Sequence, residues 1–413
     1  MKKKLLVFGA GNIGRSFVGQ LFSRAGWEVV FADVDERLIE ALNARRGYTV
    51  EIRDRVNAVL EIGDVRAIRS TDDKAVIREM TEADCCATAV GPAALPKLFP
   101  VMALGLAARK KAGKGPLDII LCENLRDAAG VARHGLRKLL PAGFPLDEYA
   151  GLVETSIGKM VPIVTEKQRQ SDPLTVYAEA YNTLILDKNG FINPAPVVPG
   201  LLPKENMKAW VDRKSFVHNL GHAALAYFTR CARPGMVLTC EAVEDPDLRA
   251  WTRAAMLEAG GLLLSMYPRE FTPKDMEEHI EDLLNRFGNQ SLGDTIHRVG
   301  RDLNRKLSAK DRLSAPLLLC QSRGLPFAWI LTALVCGLFF DAPDESGRIL
   351  PADAELLARV RRDGPQGVLR ELCGLSGPLL ETAVAAHALK TDVPSIKAFV
   401  DKETAHAFKN PRA

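Results

Sequence analysis

Hydrophobic positions in the first half of the chain fall in short runs separated by glycine, proline and polar turns. Lys4-Leu-Leu-Val-Phe8 and Glu28-Val-Val-Phe-Ala32 have strand length, with a helical pattern over 15–25 between them and another over 36–44. Cys85-Cys-Ala-Thr-Ala-Val90 and Leu117-Asp-Ile-Ile-Leu121 add two strands, closed by Gly91-Pro92 and Cys122-Glu-Asn124. Between the second strand and these two, Tyr48-Thr-Val-Glu-Ile52 and Ala58-Val-Leu-Glu-Ile62 predict a small antiparallel insertion. A further strand pair is expected at 149–155 and 174–181, the second alternating with period two. Then Asn193-Pro-Ala-Pro-Val-Val-Pro-Gly-Leu-Leu-Pro203 reads as a proline-rich connector. Beyond it helical periodicity dominates, over 214–230, 247–266, 273–287, 311–322, 327–340, 352–362 and 377–390. The pattern predicts an α/β domain over 1–195 followed by an all-helical domain over 196–413.

The first turn gives the α/β half a chemistry. Strand, glycine turn and helix in that order make Gly9-Ala-Gly11-Asn12-Ile13-Gly14 a dinucleotide-binding signature and predict a Rossmann-like, doubly wound sheet. Gly9 permits the tight turn, Gly11 lets the backbone approach a pyrophosphate, and Gly14 lets helix and strand pack closely. Asp33, at the end of the second strand, is placed to accept from the adenosine ribose hydroxyls and to repel a 2′-phosphate, which favours NAD. The bland alternative is that Asp33 caps the next helix, for which Asp35 is better placed. Ligands of such sheets lie beyond the carboxyl ends of the strands. Thr88, Val90, Gly91 and Asn124 are therefore expected to face cofactor or substrate, although Asn124 is also an ordinary loop residue.

Composition narrows the class. The chain of 413 residues is 47% hydrophobic and 26% charged, with a net charge of +4 spread thinly, so nucleic acid is not an expected partner. Eight cysteines, at 85, 86, 122, 231, 240, 320, 336 and 373, form no C-x2-C pair and lie mostly in apolar runs; they read as buried thiols. The basic start runs directly into a strand, and the longest apolar stretch, 327–340, is a buried-helix candidate. A cytoplasmic protein, monomeric or a small homo-oligomer, is expected, with a small molecule as partner and no membrane.

The helical half contributes Lys214, Asn219 and His222, spaced x4 and x2 in Lys-Ser-Phe-Val-His-Asn-Leu-Gly-His. At roughly 100° per residue these positions span an arc of about 140° on a helix. A desolvated lysine can serve as a general base toward an alcohol, and an asparagine amide can donate to the oxyanion that follows. Without the glycine turn, an amphipathic helix with a surface lysine would explain the spacing as well. Residues 298–312 are the densest basic stretch, and Arg301, Arg305 and Lys306 are candidates for a phosphate clamp or for a solvated loop.

Together these motifs resemble the long-chain polyol dehydrogenases of the mannitol dehydrogenase family. The resemblance rests on Asn12-Ile-Gly-Arg15, Phe31-Ala-Asp-Val34, Thr88-Ala-Val-Gly-Pro92, Cys122-Glu-Asn124 and the Lys-x4-Asn-x2-His helix. It extends to Val299-Gly-Arg301, Arg305-Lys-Leu-Ser308 and Asp311-Arg-Leu313, so it runs from Leu5 to Ser376. It implies a zinc-independent enzyme interconverting D-mannitol 1-phosphate and D-fructose 6-phosphate with NAD. It also implies Lys214 as the base, Asn124 and Asn219 polarising the carbonyl, and His222 orienting the substrate. Two places depart from the family pattern: Thr183-Leu184, where Glu or Gln followed by Trp is usual, and Lys159, where phosphate-active members tend to have arginine. A relative acting on mannitol, altronate or mannonate is thus an alternative, and a non-catalytic NAD(H)-binding regulator is another.

Overall fold

The computed structural model describes residues 2–54, 56–162 and 172–407. They form two compact units, Met1–Val211 and Asp212–Ala413.

The first unit is built on an eight-stranded sheet. In chain order its strands are β1 (Lys4–Phe8), β2 (Glu28–Asp33), β5 (Val65–Arg69), β6 (Cys85–Thr88), β7 (Leu117–Leu121), β8 (Ala150–Ser156), β10 (Leu184–Asp187) and β11 (Leu201–Lys204). Their spatial order is β11-β10-β8-β7-β6-β1-β2-β5. All neighbours pair in parallel except β8 and β10. The strand order reverses beside β1, as a doubly wound sheet requires. The continuous apolar runs follow from burial on both faces. In β1, Leu5 and Val7 join the core on one side, while Leu6 and Phe8 join the core on the other. Each such side chain contributes roughly 1.5–3 kcal/mol on burial.

A second sheet holds β3 (Tyr48–Ile52), β4 (Ala58–Ile62) and β9 (Thr175–Ala178), ordered β4-β3-β9. β3 and β4 are antiparallel, as the insertion was expected to be. The segments over 149–155 and 174–181 do not pair with each other. β8 lies beside β7 in the large sheet, whereas β9 runs parallel to β3 in the small one. The proline-rich stretch also holds more than a connector, because Leu201–Lys204 adds β11 as the sheet's edge strand. There the missing N–H of Pro203 is tolerated.

The second unit is helical. Its longer helices are Leu220–Ala232, Pro246–Met266, Pro273–Phe287, Ser314–Arg323, Ala328–Gly337, Pro351–Asp363, Gly377–His387 and Val393–Ala407. Start signals act where the sequence places them: Asp245 precedes Pro246 and accepts from Leu248 N–H, and Thr272 precedes Pro273 and accepts from Asp275 N–H. The apolar helix Ala328–Gly337 is buried along nearly its whole length, and among the described residues no helix is long and apolar enough to cross a membrane.

Candidate functional site

The glycine turn follows directly from β1. Gly9 has φ +95°, a conformation open to glycine, and a Cβ there would lie 2.6 Å from the Ala89 carbonyl oxygen. A Cβ on Gly14 would lie 2.0 Å from the Gly9 carbonyl oxygen, so helix and strand meet without room for a side chain. A Cβ on Gly11 would meet nothing within 4 Å, which leaves the open approach a pyrophosphate needs. Asn12 is exposed and Ile13 partly buried at the head of the helix, which runs through a π-helical turn, Gly14–Gly19, into Gln20–Arg24. Arg15 fastens the turn from below: Nε donates to the Ala10 carbonyl and Nη1 to the Pro173 carbonyl, both at 2.6 Å.

Asp33 is joined to this turn. One carboxylate oxygen accepts from Ala10 N–H at 2.6 Å, and the other accepts from Val34 and Asp35 N–H at 2.7 and 3.0 Å. The cap of Glu36–Arg45 is Asp35, which accepts from Leu38 N–H at 3.2 Å. The residues therefore suit a dinucleotide: an open glycine, helix-end N–H groups and a carboxylate at the end of β2.

Across the sheet, Thr88 is fully buried at the end of β6. The N–H groups of Val90 and Gly91 are committed to Glu123, whose carboxylate accepts them at 3.1 and 2.7 Å. Burial raises the Glu123 carboxyl above its ordinary value, against the pull of the Val90 N–H. Glu123 thus shapes the turn that Val90 and Gly91 present. Its place in Cys122-Glu-Asn124 was the available signal. Asn124 follows β7 and is exposed. Lys159 lies inside the first unit, with Nζ donating to the Tyr181 carbonyl at 2.7 Å and to Asn182 Oδ1 at 3.2 Å, and Leu184 is buried in β10. Both departures from the family pattern are therefore packed within this unit.

In the second unit Lys214 and Asn219 are the first and last residues of a π-helical turn, Lys214–Asn219, set between Met207–Arg213 and Leu220–Ala232. An i→i+5 turn carries residue 219 about one full turn past residue 214, so the two stack on one face more closely than α-helical pitch implies. Both are partly buried. Burial, reinforced by the charge of Arg312, lowers the Lys214 ammonium to about 8. His222 stands one turn further on, its ring stacked on Phe287 at 3.9 Å and 5.0 Å from the ring of His218. Burial, then the charges of Arg312, Lys306, Arg298 and Arg286, hold His222 well below its ordinary 6.5, so it is neutral at physiological pH.

The basic block differs from a simple clamp. Arg301 is exposed. Arg305 pairs with Asp302 through Nε and approaches Asp311 at 3.6 Å through Nη1. Lys306 is buried, donates to the Val299 carbonyl, and is lowered to about 7 by burial and by Arg312. Asp353 holds the segment by accepting from the Asp302 and Leu303 N–H groups, both at 2.7 Å. Arg312, of the Asp311-Arg-Leu motif, is buried, and its charge is the foremost one acting on Lys214 and His222. All eight cysteines are buried free thiols.

Two family models cover almost the whole chain. The mannitol dehydrogenase Rossmann domain matches residues 3–200, and the mannitol dehydrogenase C-terminal domain matches residues 206–394. Among solved structures, the mannitol 2-dehydrogenase of Pseudomonas fluorescens, in ternary complex with NAD and D-mannitol, is 18% identical with a TM-score of 0.74. That match covers 100% of this chain and 95% of that one. A D-sorbitol dehydrogenase in substrate-free form is 17% identical with a TM-score of 0.75, covering 97% of this chain and 95% of that one. At such identities the likeness shows a shared fold.

Proposed function

The chain belongs to the mannitol dehydrogenase family, and on that premise we propose that it interconverts D-mannitol 1-phosphate and D-fructose 6-phosphate. The observation that carries the reading is Lys214, lowered to about 8 at the head of a π-helical turn that ends on Asn219. The cofactor is NAD, which supplies the hydride acceptor and is held by the Gly9–Gly14 turn and Asp33. In the oxidative direction, neutral Lys214 Nζ takes the proton of the hydroxyl on the reacting carbon. The Asn219 amide, with Asn124 in the same role, donates to the oxygen as negative charge gathers on it and then passes into the carbonyl. His222, neutral and braced on Phe287, fixes a substrate hydroxyl through its ring nitrogen. In the reductive direction protonated Lys214 returns the proton.

A second reading has an unphosphorylated polyol as substrate. It is favoured by the names of the two solved relatives and by the carboxylates that already engage Arg305. NADH oxidation with fructose 6-phosphate, fructose, tagaturonate and fructuronate separates the readings. The phosphate reading expects kcat/KM to be highest for fructose 6-phosphate. Equal use of fructose would remove it, and NADH binding without turnover of any of the four would point to a regulator.

A further inference from the structure

Arg312 is almost enclosed, with its side chain 10% exposed, yet its guanidinium is only partly used. Nε donates to Asp311 Oδ1 at 2.8 Å, and Nη1 makes a long contact of 3.5 Å to the Asn219 carbonyl oxygen. A guanidinium has five N–H donors in a planar fork. Among the described residues nothing accepts from the Nη2 edge. Asp311 fixes the fork by also accepting the backbone N–H of Arg312 at 2.7 Å, and it is shared with Arg305. The contact to Asn219 sets the fork at the end of the π-helical turn, one turn from Lys214.

Lys306, Arg305 and Arg312 thus lie near two carboxylates, Asp302 and Asp311, both of which Arg305 engages. Arg305 is the most exposed of the basic groups just named as paired, whereas Arg312 is enclosed, oriented and only partly satisfied. A planar fork with a free edge matches two oxygens of an anion.

We propose that Arg312, oriented by Asp311, binds the anionic group of the substrate, a phosphate monoester or a carboxylate, beside Lys214. This rests on the hydride-transfer reading of the Lys214 site and deepens it, because it replaces the exposed clamp at Arg301 and Arg305 with one buried receptor. The test compares wild type with Arg312→Gln and Arg312→Lys, the latter keeping the charge without the fork. The first readout is the ratio of kcat/KM for an anionic ketose to that for fructose, with fructose 6-phosphate in one arm and fructuronate in the other. Losing a charge-assisted pair should lower that ratio about 10- to 100-fold in Arg312→Gln, carried mainly by KM, with Arg312→Lys between. The arm that collapses identifies the anion as phosphate or carboxylate. An unchanged ratio, or an equal fall on all ketoses, would mean that Arg312 only braces the π-helical turn, and would overturn the inference. The second readout is calorimetric binding of inorganic phosphate and of acetate to the full chain, which does not require turnover. Wild type should bind one of them and Arg312→Gln should not. If neither ion binds wild type, or both proteins bind alike, the inference fails. If phosphate or acetate binds through Arg312 but no ketose is reduced, the hydride-transfer reading fails by itself.

Discussion

Burying the Lys214 ammonium costs folding energy, and replacing it should return that energy in a pH-dependent way. In the unfolded chain Lys214 holds its proton up to its ordinary 10.5, whereas in the folded state burial and Arg312 lower it to about 8. A base lowered in the folded state penalises folding fully below about 8. The penalty shrinks as pH rises from about 8 to 10.5 and is gone above that. The gap corresponds to about 3 kcal/mol, an upper figure because the side chain is only partly buried. Lys214→Met keeps most of the stem and removes the charge, so the variant should be more stable than wild type near pH 7 by up to about 3 kcal/mol, with the advantage falling to about 1 kcal/mol or less at pH 10. Urea titrations of both proteins at pH 7 and pH 10, followed by circular dichroism, measure the difference. A stability difference that does not change between the two pH values would refute the argument, because packing differences alone are independent of pH.

Three other outcomes follow from the same site. Oxidation of the polyol should gain kcat/KM as pH rises through about 8, since Lys214 must be neutral to accept the proton, and ketone reduction should lose it over the same range; flat profiles in both directions would remove Lys214 as the proton carrier. Asp33→Ser should weaken NADH binding about 10-fold or more and narrow the preference over NADPH, because the carboxylate both anchors Ala10 N–H and repels a 2′-phosphate; isothermal titration with each cofactor checks this, and an unaltered preference would contradict it. Gly14→Ala should cost about 1–3 kcal/mol of stability and much of the NADH affinity, since its Cβ would sit 2.0 Å from the Gly9 carbonyl oxygen; a variant that melts and binds like wild type would show that the turn can yield.

The fold and site are legible in the sequence where one residue type has few alternatives. Gly9 and Gly14 are needed at a positive φ and at a close backbone approach, and both constraints are local. The choice of Asp35 over Asp33 as the helix cap was likewise a matter of neighbouring residues. Less is legible where partners are distant or the pitch changes. Lys-x4-Asn was read at α-helical pitch, and no local signal announces the π-helical turn that aligns the pair. β11 was hidden by prolines because an edge strand needs only half of its backbone groups. The neutralising partners of Arg305, Asp302 and Asp311, are near in sequence but are passed over when 298–312 is read as a basic stretch, and the contact of Arg312 with Asn219 spans 93 positions and has no local signal. Glu123 was visible as a motif residue, while its grip on the Val90 and Gly91 N–H groups depends on the register of β6 beside β7.

The most direct test of the account is turnover by Lys214→Ala. Steady-state NADH oxidation with the best ketose of the panel, alongside NADH binding measured by fluorescence, separates loss of the base from loss of the cofactor site. The account predicts that turnover falls by about 100- to 10,000-fold, while NADH binds within about 2-fold of wild type. Turnover within a few fold of wild type would contradict Lys214 as the base and, with it, the proposed mechanism.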